Sequence, residues 1–144
     1  MQAMACGAFA EKVVVDKSQV VKVNKTISYE TAALMACGVI TGIGAVVNAA
    51  KIKPGQDVVV IGAGGVGLNA IQGARLAGAR RIVAVDLSEE KLKIAVEFGA
   101  TDGVLATNSS PWKSVNEKLG GGADAVFVSV CLLYTSDAAD ELCR

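Results

Sequence analysis

The spacing of apolar positions changes near residue 54, and the change divides the chain. Before it, residues 9–15 (FAEKVVV) and 19–23 (QVVKV) are β-branched runs separated by Asp16-Lys17-Ser18, which predicts two short strands. Ser28 stands where a helix N-cap belongs, with Glu30 in the first turn, so a helix is predicted from Tyr29 to about Met35. A second, mostly apolar helix is predicted over residues 39–50, and Pro54-Gly55 marks a turn. From Gln56 onward, apolar runs at 58–61, 82–85, 104–106 and 125–130 alternate with three helical patterns. The first follows Gly65 and carries Gly67, Ala70, Ile71, Ala74 and Ala77 on one face until Gly78 ends it. The second is capped by Ser88, has Glu89 and Glu90 in its first turn, and closes at Gly99. The third opens with Ser110-Pro111 and runs to about Leu119. Uninterrupted apolar strands belong in a sheet covered on both faces. The predicted fold class is therefore α/β, a doubly wound parallel sheet of about four strands, preceded by two short strands and two helices.

The first turn of that unit carries candidate chemistry. Gly62-Ala63-Gly64-Gly65-Val66-Gly67 follows the first apolar run directly, and a second apolar run ends in Asp86, about 20 residues beyond Gly67. Gly62 permits a tight turn off a strand, Gly64 lets backbone approach a pyrophosphate, and Gly67 lets the helix lie close to the sheet. The free N–H groups and positive dipole end of that helix face the phosphates. Asp86 is placed to accept hydrogen bonds from ribose hydroxyls. Glycine-rich strand–helix turns also occur where nothing binds. Here strand, turn, helix, strand and acid follow in order, the pattern of a dinucleotide-binding Rossmann unit.

Composition narrows the field. The 144 residues suffice for one domain, and 52% hydrophobic content suits a sheet buried on both faces. The stretch 32–50 is broken by Gly38, Gly42, Gly44 and Asn48, so no apolar run is expected to reach the roughly 18 residues of a membrane span. Fourteen acidic against fourteen basic residues leave no net field for nucleic acid or an anionic membrane. Cys6, Cys37, Cys131 and Cys143 form no CxxC or disulfide pattern, which points to a reducing, cytoplasmic setting. Histidine is absent, so these residues supply no histidine base or histidine metal ligand.

Ala36-Cys37-Gly38-Val39-Ile40-Thr41-Gly42, the 62–67 loop, Val85-Asp86 and Phe98-Gly99-Ala100-Thr101-Asp102 together resemble the zinc-containing alcohol dehydrogenases, the medium-chain dehydrogenase/reductase family. The resemblance covers roughly residues 8–130. It is nearest to the class III, glutathione-dependent formaldehyde dehydrogenase branch. It implies NAD and zinc as cofactors, an alcohol or aldehyde substrate, and a homo-oligomeric parent protein. Cys37 matches the third catalytic-zinc ligand, against the plain reading of a buried free thiol. Thr41 matches a position near the nicotinamide, against an ordinary helix threonine, and Val66 packs on the nicotinamide side of the loop, against a core valine. Gly62, Gly64, Gly65 and Gly67 form the phosphate loop. Asp86 selects NAD, because a 2′-phosphate would meet its charge. Lys91 matches a lysine touching the adenosine ribose, against a solvated helix lysine.

Two departures bear on activity. Residues 1–53 match only the end of a catalytic domain and its connecting helices; the other zinc ligands, the proton relay and the structural zinc lobe have no counterpart. Residues 54–130 match the NAD-binding domain, incomplete by two strand units. Residues 131–144 begin Cys131-Leu132-Leu133-Tyr134-Thr135-Ser136-Asp137, a string that resembles a translated sequencing adapter and is read as a non-native tail. The expectation is the NAD-binding segment of a zinc-dependent alcohol dehydrogenase, inactive alone and with no catalytic residue of its own. The alternative is a non-catalytic or zinc-free nucleotide-binding module, which Cys37 opposes. A methyltransferase also places an acid after its second strand, but the GxGGxG spacing and the Cys37 motif disfavour it.

Overall fold

Val58 and Val60 point to one side of a sheet, Val59 and Ile61 to the other, and both sides are buried. That two-sided burial is why the strand reads as a continuous apolar run rather than an alternating one. The computed structural model describes Gly7, residues 9–107 and residues 109–130. Residues up to Ala32 and from Ala33 onward form two compact units.

In the second unit, β1 (Asp57–Ile61), β2 (Arg81–Asp86), β3 (Asp102–Leu105) and β4 (Ala125–Val128) make one four-stranded parallel sheet in the order β3-β2-β1-β4. The connecting helices are α3 (Gly65–Leu76), α4 (Glu89–Glu97) and α5 (Pro111–Leu119). Ala70, Ile71 and Ala74 of α3 and Leu92 and Ala95 of α4 pack with Val58, Val60, Ile82 and Ala84 on one face. Val115 and Leu119 of α5 pack with Val59, Ile61, Val83, Val85 and Val104 on the other. The sheet is doubly wound, as its pattern predicts. Ser88 caps α4 by accepting the Lys91 N–H, and Pro111 occupies the first turn of α5.

The segment before the sheet differs from expectation in three ways. No strand forms at residues 9–15 or 19–23. The residues between them make a 3₁₀ turn, Lys17–Gln19, whose N-cap Asp16 accepts the Ser18 N–H. Two short runs forming a lone ribbon are marginal in water, and Val14 and Val21 bury little here. The two predicted helices are instead continuous: α1 (Tyr29–Leu34), a wide i→i+5 turn at Met35–Val39, α2 (Ile40–Gly44) and a second wide turn at Ala45–Ala50. The helix stops at Lys51, the only non-glycine residue with positive φ (53°) among those described. Ser28 caps its start through the Thr31 N–H, as predicted.

The third difference concerns length. The run Tyr29–Ala50 spans 22 residues and is, by length and composition, long and apolar enough to cross a membrane. Gly38, Gly42 and Gly44 do not break it, since a helical glycine costs about 1 kcal/mol rather than the helix itself. Gly42 has a packing reason to be there. A Cβ at Gly42 would lie 2.5 Å from the Val66 carbonyl oxygen and 2.7 Å from the Ala70 nitrogen, so α2 and α3 cross backbone to backbone. The tail at residues 131–144 lies outside the described residues.

Candidate functional site

Strand order locates the site before any side chain does. From β1 the chain steps through β2 to β3 on one side and then crosses to β4 on the other, so the winding reverses at β1. Doubly wound sheets bind ligands outside the carboxyl ends of their strands at such a reversal. The 62–67 loop leaves the carboxyl end of β1 there.

Its glycines divide by what confines them. Gly62 has φ 97°, a conformation open to glycine, and a Cβ on it would approach Val130 Cγ1 to 2.6 Å and Ser129 Oγ to 2.9 Å. A Cβ at Gly67 would overlap the Gly62 carbonyl oxygen and come 2.8 Å from Ser129 Oγ. The fold alone accounts for both. Gly64 and Gly65 are different: neither has positive φ, and added Cβ atoms would meet nothing within 4 Å. Their missing side chains leave space on the outer face of the loop. Gly64 is the N-cap of α3 and brings no side-chain cap. The first amides of the helix, from Gly65 onward, therefore have no intrahelical acceptor and stand beside that space.

Asp86 lies at the carboxyl end of β2, half-buried, with each oxygen already holding a backbone amide. Oδ2 accepts the Ala63 N–H at 2.7 Å and Oδ1 accepts the Ser88 N–H at 3.0 Å. Each carboxylate oxygen has a second lone-pair direction free for a further donor. Lys91 is exposed on α4, in the turn that Ser88 caps.

Cys37, in the first wide turn, is an exposed free thiol, which removes the buried-thiol reading. Thr41, four residues on, is exposed on the same helical face. Its neighbour Gly42 brings α2 against the Val66 backbone at the start of α3, and Val66 itself is half-buried. The structure thus assembles Gly62, Gly64, Gly65, Gly67 and Asp86 around one loop and sets the Thr41 turn against its helix. Cys37 and Lys91 are both exposed, on the first wide turn and on α4. Among the described residues no three His, Cys, Asp or Glu side chains group as a metal site. Cys37 alone does not fit a zinc ion, which takes three or four protein ligands.

Sequence reasoning missed Ser129. It follows β4, and its hydroxyl lies 2.8 Å from the Gly62 carbonyl oxygen and 3.1 Å from that of Ile61, while its backbone N–H donates to Ile61 O at 2.8 Å. These partners are 67 and 68 positions away in sequence, beyond any local pattern.

Charge elsewhere serves the opposite, amino edge of the sheet. Buried Asp57 takes a two-pronged bond from Arg80, Nε at 3.0 Å and Nη2 at 2.6 Å, which holds its carboxyl below the usual carboxylate range. At Asp102 burial opposes ionisation. The Thr101 hydroxyl, Lys118 and Arg81 outweigh it, and the carboxyl again sits below its ordinary value. A surface recess lined by Ser109, Ser110, Lys113, Ser114 and Glu117 opens at the start of α5 and includes none of the glycine-loop residues.

Known proteins are similar to this chain in sequence and in fold. The family described as zinc-binding dehydrogenase matches residues 65–144, a span that includes the 131–144 stretch. The S-(hydroxymethyl)glutathione dehydrogenases of Synechocystis sp. and of an Escherichia coli O1:K1 strain are each 48% identical over 99 residues, covering 69% of this chain and 27% of those proteins. The chain thus spans about a quarter of the length of these curated relatives. Among solved structures, the alcohol dehydrogenase zinc-binding domain protein from Burkholderia ambifaria is similar at TM-score 0.79 and 34% identity, covering 85% of this chain and 33% of that one. Benzyl alcohol dehydrogenase from Acinetobacter calcoaceticus is similar at TM-score 0.78 and 34% identity, covering 85% of this chain and 34% of that one.

Proposed function

The chain belongs to the zinc-binding dehydrogenase family, and from that premise we propose that it is the NAD-binding segment of a cytoplasmic alcohol dehydrogenase of the class III, glutathione-dependent formaldehyde dehydrogenase kind. The observation that carries this reading is the division among the loop glycines. Gly62 and Gly67 are required by packing, whereas Gly64 and Gly65 border open space at a helix N-terminus beside Asp86. Glycine suits the N-cap at Gly64, but a turn serving structure alone has no use for glycine at Gly65, inside the first turn of α3 with open space around it.

In this reading the amides at the start of α3 take the pyrophosphate, and the absent Cβ atoms of Gly64 and Gly65 let it approach the backbone. Asp86 accepts the adenosine ribose hydroxyls on its free lone pairs while keeping Ala63 and Ser88, and its charge repels a 2′-phosphate. Lys91 lies along the ribose, and Thr41 and Val66 border the nicotinamide. Bound NAD supplies a hydride acceptor for an alcohol, and the chain's part is to hold and orient it. Cys37 is one of the protein ligands a zinc ion would need, with the others contributed from outside these residues. The segment alone does not turn over.

Titrating the chain with NAD, NADP and S-adenosylmethionine tests the proposal. NAD is expected to bind, and NADP more weakly. Binding of S-adenosylmethionine without NAD would overturn it.

A further inference from the structure

The peptide plane joining Gly62 and Ala63 is clamped at both ends by side chains from the two strands that flank β1. In a trans peptide the carbonyl and the N–H point to opposite sides. The Gly62 carbonyl faces the Ser129 hydroxyl at 2.8 Å, just past the end of β4, and the Ala63 N–H reaches Asp86 Oδ2 at 2.7 Å, at the end of β2. Ser129 also lies 3.1 Å from the Ile61 carbonyl, so its single proton is shared along the last residues of β1.

We infer that Ser129 is a positioning residue for the dinucleotide loop, fixing the Gly62–Ala63 peptide so that the amides beyond it stand ready for a pyrophosphate. The inference rests on the NAD-binding reading above. Gly62, at φ 97° and without a side chain, resists rotation of its following peptide less than any other residue type. Rotating that plane would take the Ala63 N–H off Asp86 and turn the Gly62 carbonyl out of the pocket formed by Ser129 Oγ and Gly67, where a Cβ on Gly67 would overlap it. A loop held before the ligand arrives pays less ordering entropy on binding.

The test compares the chain with its Ser129→Ala, Ser129→Thr and Ser129→Val forms, reading NAD affinity by calorimetry and Ala63 amide exchange by NMR. Loss of one loop-ordering hydrogen bond is expected to weaken NAD binding about five- to tenfold in Ser129→Ala. Thr and Val share one shape and differ by the hydroxyl, so Thr is expected to bind NAD more tightly than Val. Ala63 exchange is expected to quicken in the Ala and Val forms while Val59 and Val60 of β1 stay protected. Equal affinities for the Thr and Val forms, or exchange rising equally at Ala63 and along β1, would overturn the inference. If Ser129→Ala does not fold, the Thr and Val pair decides. A chain that binds no NAD in its unaltered form overturns the functional reading and this inference together; one that binds NAD as tightly without the hydroxyl overturns the inference alone.

Discussion

Asp86 accepts the amide hydrogen of Ala63 at 2.7 Å across the carboxyl edge of the sheet. One carboxylate thus holds the glycine loop and, in the function proposed above, also discriminates the ribose.

The two tasks separate on substitution. Asp86→Asn keeps an oxygen for the Ala63 N–H and removes the charge, so NADP binding should improve relative to NAD while the loop stays ordered. Asp86→Ala removes both. Because hydrogen bonds to charged groups contribute roughly 1.5–3 kcal/mol, it should weaken NAD by about tenfold or more without a matching gain for NADP. Dissociation constants for both cofactors check this, and unchanged discrimination in Asp86→Asn would remove the ribose role.

Gly67 and Gly64 should respond oppositely to alanine. Gly67→Ala drives a methyl into the Gly62 carbonyl, and overpacking of this kind costs about 1–3 kcal/mol, visible as a lower melting temperature. Gly64→Ala meets nothing within 4 Å. It gives up only glycine's modest N-cap preference over alanine, so it should melt closer to the unaltered chain than Gly67→Ala does, yet lose NAD affinity by calorimetry.

The crossing of α2 and α3 offers a parallel contrast. Gly42→Ala places a Cβ 2.5 Å from the Val66 carbonyl oxygen, so the helices must separate and thermal stability should fall. Gly38→Ala, in the same continuous helix with open space around it, should instead raise stability by about 0.5–1 kcal/mol.

Acid should weaken the fold through Asp57. Its folded carboxyl titrates below the value of about 3.9 expected in the unfolded chain, because Arg80 bonds its charged form. The stabilisation is present above the unfolded value and is lost as pH falls from about 4 through the lower folded value. Asp57→Asn should lower stability at neutral pH and flatten this acid loss, leaving the part due to Asp102. Denaturant midpoints measured across pH 2–7 check the sign, and an equally steep loss in Asp57→Asn would remove Asp57 as its source.

Much of this was written locally. Runs such as Val58-Val59-Val60-Ile61 announce a sheet covered on both faces, and Ser88, Pro111 and Gly99 mark helix ends through backbone chemistry within a few residues. That Asp86 and the glycine loop meet at one edge of the sheet was legible for the same reason, since strand, turn, helix and strand follow in one short continuous segment. The runs at 9–15 and 19–23 misled because strand formation depends on a partner, which composition cannot supply. The glycines at 38, 42 and 44 looked like breaks because their helical context depends on what lies across from them.

The sequence by itself determined the doubly wound order of elements and the place of the dinucleotide loop. Both follow from hydrophobic period and from glycine's freedom of φ, properties each residue carries wherever it is. Only the tertiary structure decided which loop glycines serve packing and which border open space. It also brought Ser129 to Gly62 and set Gly42 on Val66. Those relations join residues far apart in the chain, and they exist only once parallel strands and crossing helices have brought distant backbone within a few ångströms.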